Sequence, residues 1–291
     1  MSGTIPDFDA VLLLLPFNEA AGATTLVDRS KYARTVTRAF SPTMVNTRSK
    51  FYTTSLSVSS DYLTIDSISA AVAGTLAFTA EGWFYRNSSA FPGEAHFGFH
   101  TSAYGNRAVF TATSAFGSNF TATTYSSAAP VGEWYHFAAV IKSDRRKAFI
   151  NGSLVLDVAA PANDIISSDL FSIAQEWDSG GVSSDYFSGN IQDFCITLGE
   201  KYVGSFTPPG RMIGEISTTA ANPILDDANL PAVRKVVAFN RVFPSAIVST
   251  TSASDGSFTL PGLPCAEHTV VYLDDDAGTL YNDKVNRVFP V

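Results

Sequence analysis

Trp177 and Asp178 in "AQEWDSGG", with Asp185 and Tyr186 across "SGGVSS", bring aromatic rings and carboxylates together around one Gly-Ser loop. Sugars are held by that combination, through CH–π stacking on a ring face and hydrogen bonds to hydroxyls. These four residues are the candidate glycan-binding set, and the competing role for Trp177 is to pack the edge of a sheet. A calcium ion needs about six to eight oxygen ligands, of which Asp28 in "LVDRSKY" and Asp193 in "GNIQDF" could supply two. Capping or solvated carboxylates are the alternative.

The remaining chemistry-bearing residues point away from catalysis. Glu94, His96 and His100 in "GEAHFGFH" recur at even spacing, which would put them on one strand face. Zinc requires about three or four ligands at fixed geometry, so they read as polar strand residues. His136 in "WYHFAAV" shares a face with Trp134 and Ala138 as a hydrogen-bonded core or inter-sheet histidine, with no Ser or Cys nucleophile motif beside it. A glycosidase needs two carboxyl groups about 5–9.5 Å apart. Glu81 in "TAEGWFY" stands alone, and Glu176 and Asp178 sit at a strand end before a Gly-rich loop. No catalytic residue is assigned. Asp274, Asp275 and Asp276 lack the closing glutamate of an EF-hand and read as a solvated turn.

The elements that position these residues are short alternating runs: "DYLTI", "LAFTAEGWFY", "RAVFTAT", "EWYHFAAVI", "KAFI" and "SLVLDV", each bounded by Gly, Asn, Asp, Ser or Pro. No helical period is sustained. Asn151-Gly152 takes the positive φ angles of a type I′ turn and predicts a hairpin between "KAFI" and "SLVLDV". In the second of these strands, Leu154, Leu156 and Val158 should face the core, with Ser153 and Asp157 opposite. Charged residues make up 16% of the chain and aromatics 12%, a composition for half-buried pleated surfaces. The fold class is all-β.

Strand signals restart after "TPPG" with "RMIGEIST", "VRKVVAFNR", "GSFTLPGL" and "HTVVYLDD". Two domains are expected, 1–209 and 210–291. A net charge of −8, with no basic stripe interleaved with aromatics, disfavours nucleic acid. No apolar run approaches the length of a membrane span, and "AVLLLLPF", preceded by Asp7 and Asp9, is too short and too acidic at its front for an export signal. Cys195 and Cys265 fall on opposite sides of Pro208-Pro209 and read as buried free thiols.

The stretches "AVLLLLPFNEAAGATTLVDRS", "SKFYTTSLSVSSDYLTI", "FTAEGWFY", "GEWYHFAAVI" with "FINGSLV", and "YFSGNIQDFCITLGEKYVGSFTPP" resemble, in order and spacing, the laminin-G-like, concanavalin A-like jelly rolls of tailed-bacteriophage virion proteins. The tail, through "VRKVVAFNR", "SDGSFTLPGLP" and "LYNDKVNRVFPV", resembles the small transthyretin-like (carboxypeptidase regulatory-like, Ig-like) β-sandwiches. The resemblance implies that the closing strand pairs beside the N-terminal one. It also implies an acid where this chain has Gln192, which counts against a family calcium site, so no cofactor is expected. The implied function is a non-enzymatic virion structural protein, peripheral in the tail or a fibre, with host surface-glycan attachment. Capsid decoration is the near alternative; a glycan-active enzyme and an exported bacterial adhesin are the rivals from other classes. Residues 211–291 would join other virion proteins or sister subunits. Synthesis in the host cytoplasm and release by lysis would place such a protein in the virion without membrane insertion.

Overall fold

A computed structural model of the chain describes residues 10–88, 93–101, 103, 106–117, 120–159, 165–178, 182–221, 223–225, 229–240, 247–264, 268–273 and 284–288. The chain divides into two compact units, Ala10–Pro208 and a second comprising Pro209–Val291 with Met1–Asp9. The first runs β1 (Val11–Leu15), β2 (Val36–Ala39), β3 (Thr43–Val45), β4 (Ser55–Val58), β5 (Tyr62–Ile65), α1 (Ile68–Val72), β6 (Ala77–Arg86), β7 (Ala95–His100), β8 (Asn106–Thr111), β9 (Ser114–Gly117), β10 (Phe120–Thr124), β11 (Trp134–Lys142), β12 (Arg145–Ile150), β13 (Ser153–Ala159), β14 (Leu170–Ile173), β15 (Glu176–Asp178), β16 (Val182–Ser184) and β17 (Gly189–Leu198).

All of these strands but β15 and β16, which pair with each other, form a sandwich of two antiparallel sheets. The first is ordered β13-β12-β11-β6-β17-β4-β3, with β1 also on β17; the second is β10-β9-β8-β7-β14-β5-β2. Phenylalanines projecting from both sheets fill the space between them: Phe78 lies 5.5 Å from Phe99, and Phe194 5.6 Å from Phe97. Burying each ring contributes about 2–3 kcal/mol. The closing strand β17 pairs with β4 through Gly189–Ile191 and with β1 through Phe194–Thr197. It changes neighbour at a β-bulge where Asp193 takes φ 50°. Gly82 lies opposite, where a Cβ would come 3.2 Å from the Phe194 ring.

Asn151 and Gly152 have φ 49° and 77° and connect Ile150 to its partner Ser153, the type I′ hairpin that the sequence predicts. Two strand faces differ from expectation, and a bulge is the cause in both. In β13 the register shifts at Leu154–Leu156, so Val155 and Leu156 both enter the core while Leu154 is 37% exposed. In β7 a shift between Ala95 and Phe97 turns His96 inward beside Phe97, and His96 and His100 end on opposite faces. A bulge adds one residue, which reverses the alternation beyond it.

The second unit contains β18 (Ile213–Thr218), β19 (Lys235–Asn240), β20 (Ile247–Thr251), β21 (Phe258–Pro264), β22 (His268–Leu273) and β23 (Lys284–Val288). They pair as β18-β21 and as β20-β19-β22-β23. Its core is small: Ile224, Val236, Ala238, Phe258, Leu260, Leu263 and Val270, with Val248 and Tyr272 against it. Cys195 is a buried free thiol whose pKa burial pushes up to about 12, with Glu81 adding to the rise. Cys265 and Asp274–Asp276 lie outside the described residues. No helix among the described residues is long and apolar enough to cross a membrane.

Candidate functional site

Phe171 and Ile173 point into the core, so Ser172 between them faces outward from the second sheet. After β14 the chain reverses at Ala174, φ 71°, and β15 lies back against β7 and β8. A polar row forms beneath it. Asn106 Nδ2 donates to Glu176 Oε1 at 2.8 Å, which leaves Asn106 Oδ1 to accept from His100 Nδ1 at 2.9 Å. His100 Nε2 stands 3.1 Å from Ser172 Oγ. Gly98 makes room for this ring, since a Cβ there would come 2.6 Å from His100 Nε2. Burial lowers the His100 pKa to about 4, with the Asn106 bond opposing, so the ring is neutral at pH 7. Gln175 is fully buried beside them, and neither atom of its carboxamide has a hydrogen-bond partner among the described residues.

Aromatic side chains gather at the edge of the same face. Leu63 and Ile65 of β5 are core residues, so the alternation turns Tyr62 outward. Trp177 meets it edge-on at 5.4 Å and Tyr186 lies 6.3 Å away on a tilted plane. Phe40 stands edge-on to Tyr62 at 5.9 Å and is 69% exposed. Trp177 and Tyr186 are half-buried, so Trp177 both packs the edge and shows part of a ring to solvent. Asp185 is exposed at φ 46°, its carboxylate over Gly93, where a Cβ would approach within 3.2 Å. The Asp178 backbone pairs with Val182, and its side chain lies outside the described residues. Tyr62 thus joins Trp177 to Tyr186. Sequence reasoning missed Tyr62 and Phe40, although the alternation of "DYLTI" already carried the signal for Tyr62.

The candidate calcium ligands are held by the protein's own donors. Asp28 Oδ1 accepts from the backbone N–H of Leu14 at 3.0 Å and of Ser30 at 2.9 Å. Its Oδ2 accepts from Ser30 Oγ and from the Arg34 N–H, both at 2.8 Å. Asp193 Oδ1 accepts from Tyr52 Oη at 2.7 Å. Gln192, fully buried, accepts at Oε1 from the N–H groups of Lys50 at 2.8 Å and Phe51 at 3.1 Å, while its Nε2 donates to the Thr54 carbonyl. An acid could not make that last bond at neutral pH, so the amide clamps residues 50–54. No group of three or more His, Cys, Asp or Glu side chains among the described residues is placed to hold a metal ion.

Glu81 does not stand alone, as the sequence suggested. It accepts from Lys201 Nζ, from Tyr202 Oη at 2.6 Å, and lies 3.2 Å from His136 Nε2. Burial would raise its pKa, but the Lys201 ammonium and the His136 ring bring it down to about 2. This cluster fixes residues 199–206 on the outer face of the first sheet, where the Tyr202 and Phe206 rings stack. Glu94 pairs with Arg86 at 2.5 Å in the buried interior. His96 stacks on Phe137 at 4.3 Å and bonds Tyr135 Oη at 2.7 Å, and burial lowers its pKa to about 3.

Two facing antiparallel sheets, closed by the pairing of β17 with β1, make a jelly-roll-like β-sandwich. Residues 57–197 match the laminin-G-type family model described as the concanavalin A-like lectin/glucanases superfamily, and the two-sheet sandwich of the first unit agrees with that fold. Among solved structures, domain 4 of an extracellular arabinanase of Geobacillus stearothermophilus, in complex with arabinotriose, is similar at 13% identity and TM-score 0.49, covering 68% of this chain and 94% of that one. The binding domain of botulinum neurotoxin serotype C1 is similar at 13% identity and TM-score 0.45, covering 96% and 79%. The binding domain of serotype D/C gives 11% identity and TM-score 0.45, covering 98% and 95%. No curated protein matches the sequence.

Proposed function

We propose that the chain is a non-enzymatic structural protein of a tailed-phage particle, displayed peripherally in the tail or a fibre, whose jelly roll attaches to a host surface glycan. The observation that carries the glycan reading is the aromatic run Phe40–Tyr62–Trp177, beside exposed Asp185 and above the polar row Glu176–Asn106–His100. Partly exposed rings offer stacking faces, and the carboxylate accepts from sugar hydroxyls. The matched family includes both lectins and glucanases. The binding reading is favoured because the buried carboxylates are engaged: Glu81 with Lys201 and Tyr202, Glu94 with Arg86, and Glu176 with Asn106. Calcium has no part in it, since Asp28 and Asp193 already accept from internal donors. The second unit, read as a transthyretin-like sandwich, docks the protein to the virion or to sister subunits through residues 211–291.

Binding of the whole protein to a glycan array, with Trp177→Ala and Tyr62→Ala alongside, tests this. Both variants should retain the parent melting temperature within a few degrees and lose most of the signal. Unchanged binding in both would remove the aromatic edge as the site. Oligosaccharide released from the bound polysaccharide would instead establish the enzyme reading.

A further inference from the structure

The net charge of −8 hides a local excess of the opposite sign: residues 29–60 contain Arg29, Lys31, Arg34, Arg38, Arg48 and Lys50 and no acid. The run crosses from β2, at the edge of one sheet, to β3, at the edge of the other. Arg34 and Arg38 donate to the carbonyls of Leu12 and Pro42 and are thereby engaged. Arg48 and Lys50 are placed differently. Both stand over the outer face of the first sheet, Arg48 at 3.9 Å from the Tyr85 ring centre and Lys50 Nζ at 3.9 Å from that of Trp83. Tyr85 and Trp83 are two apart on β6, which puts their backbone positions about 7 Å apart on one face.

Asn87 Oδ1 at 2.7 Å and Asn190 Oδ1 at 3.0 Å both accept from Arg48 Nη1. The guanidinium is therefore held over the face of the Tyr85 ring by one nitrogen, and the Nε–Nη2 edge of its fork has no carboxylate among the described residues. That edge matches a carboxylate in bidentate geometry. Beside it Trp134, half-buried, meets Tyr85 edge-on at 5.8 Å. Below, the buried Trp83 indole N–H has no acceptor among the described residues. Of the carboxylates near this face or this loop, Glu81 is engaged by Lys201 and Asp193 by Tyr52, while Glu133, next to Trp134, is exposed.

We propose that Arg48, Lys50, Tyr85 and Trp134 form a second binding surface, on the sheet opposite the aromatic edge, for a carboxylate-bearing polysaccharide. Arg48 takes a sugar carboxylate in its fork, Lys50 adds charge, and Trp134 offers a ring to the adjacent sugar. Two cations suit carboxylates spaced along a glycan better than the dense phosphates of nucleic acid, at about one charge per 1.7 Å of duplex. The choice of polysaccharide as ligand rests on the glycan-binding reading above, but the residues are different ones.

Native affinity electrophoresis of the full chain through gels containing polygalacturonate, neutral dextran or single-stranded DNA tests the proposal. Polygalacturonate should retard the parent protein at 50 mM NaCl and much less at about 300 mM, because exposed charges are screened. Dextran should not retard it. Arg48→Gln should weaken the retardation about tenfold, the loss expected for one charge-assisted bond, and Lys50→Gln should weaken it less. Lys50 is exposed, so its variant decides the matter if Arg48→Gln melts early. Lys235→Gln, which removes an exposed cation of the second unit, should migrate like the parent. No retardation at low salt, retardation indifferent to both substitutions, or stronger retardation by DNA through the same two residues would each overturn it. Loss through Trp177→Ala alone would return the ligand to the aromatic edge.

Discussion

Replacing Gln192 by Glu changes one atom type in a buried side chain, and its cost follows from three hydrogen bonds. A carboxylate retains the acceptor for the Lys50 and Phe51 N–H groups but has no proton for the Thr54 carbonyl. An orphaned buried acceptor costs about 1–3 kcal/mol. For a unit of this size about 2 kcal/mol lowers the melting temperature by roughly 4–8 °C. The sign of the pH dependence is fixed by the same bond. Burial raises the folded pKa of the new carboxyl above its unfolded value of about 4.3, and once protonated it can again donate to Thr54. The deficit is therefore full at pH 7 and closes as the pH falls through the raised folded pKa. Calorimetry of parent and variant at matched pH between 7 and 4 measures the difference directly. Equal melting temperatures at pH 7, or a gap that stays constant with pH, would refute the clamp.

Further outcomes follow from the other buried groups. The folded pKa values of His96 and His100, lowered by burial to about 3 and 4, mean that stability is complete above pH 6.5 and is lost below it, by about 1.4 kcal/mol per pH unit for each ring until its folded pKa is reached. Urea titrations at pH 7 and 5 should differ by about 4 kcal/mol from these two rings, with His136, whose pKa burial also lowers, adding to it, and His96→Gln should remove about 2 kcal/mol of the difference; equal values in the parent would show that the rings stay neutral in the unfolded chain or ionise when folded. EDTA should leave the melting temperature of the first unit unchanged within a degree, and a large fall would reinstate Asp28 and Asp193 as ligands. Deleting Arg211 to Val291 should leave a folded jelly roll that no longer joins particles, because the second unit, with its small core, is marginal by itself; incorporation at normal copy number would reverse the assigned roles of the two units.

Much of the architecture was legible in the chain because local rules act on neighbours. Asn151-Gly152 dictates its own turn wherever two strands flank it, and the alternation of "DYLTI" and "EWYHFAAVI" sets which residues meet a core. The partial charges and ring faces of Trp177, Asp185 and Tyr186 were likewise readable as a group, since one short loop carries them. What the tertiary structure alone decided concerns residues that meet across long sequence separations. Glu81 looked solitary because Lys201 and Tyr202, which hold its carboxylate, lie 120 and 121 residues away. Gln192 looked like a missing acid until the loop at 50–54 supplied two donors and an acceptor from 138–142 residues upstream. The bulges at Ala95–Phe97 and Leu154–Leu156 reversed two strand faces, since a single extra residue exchanges inside for outside and depends on the partner strand's register. Alternation is a property of one strand, whereas register and the pairing of a buried charge belong to two, and only folding brings the second one near.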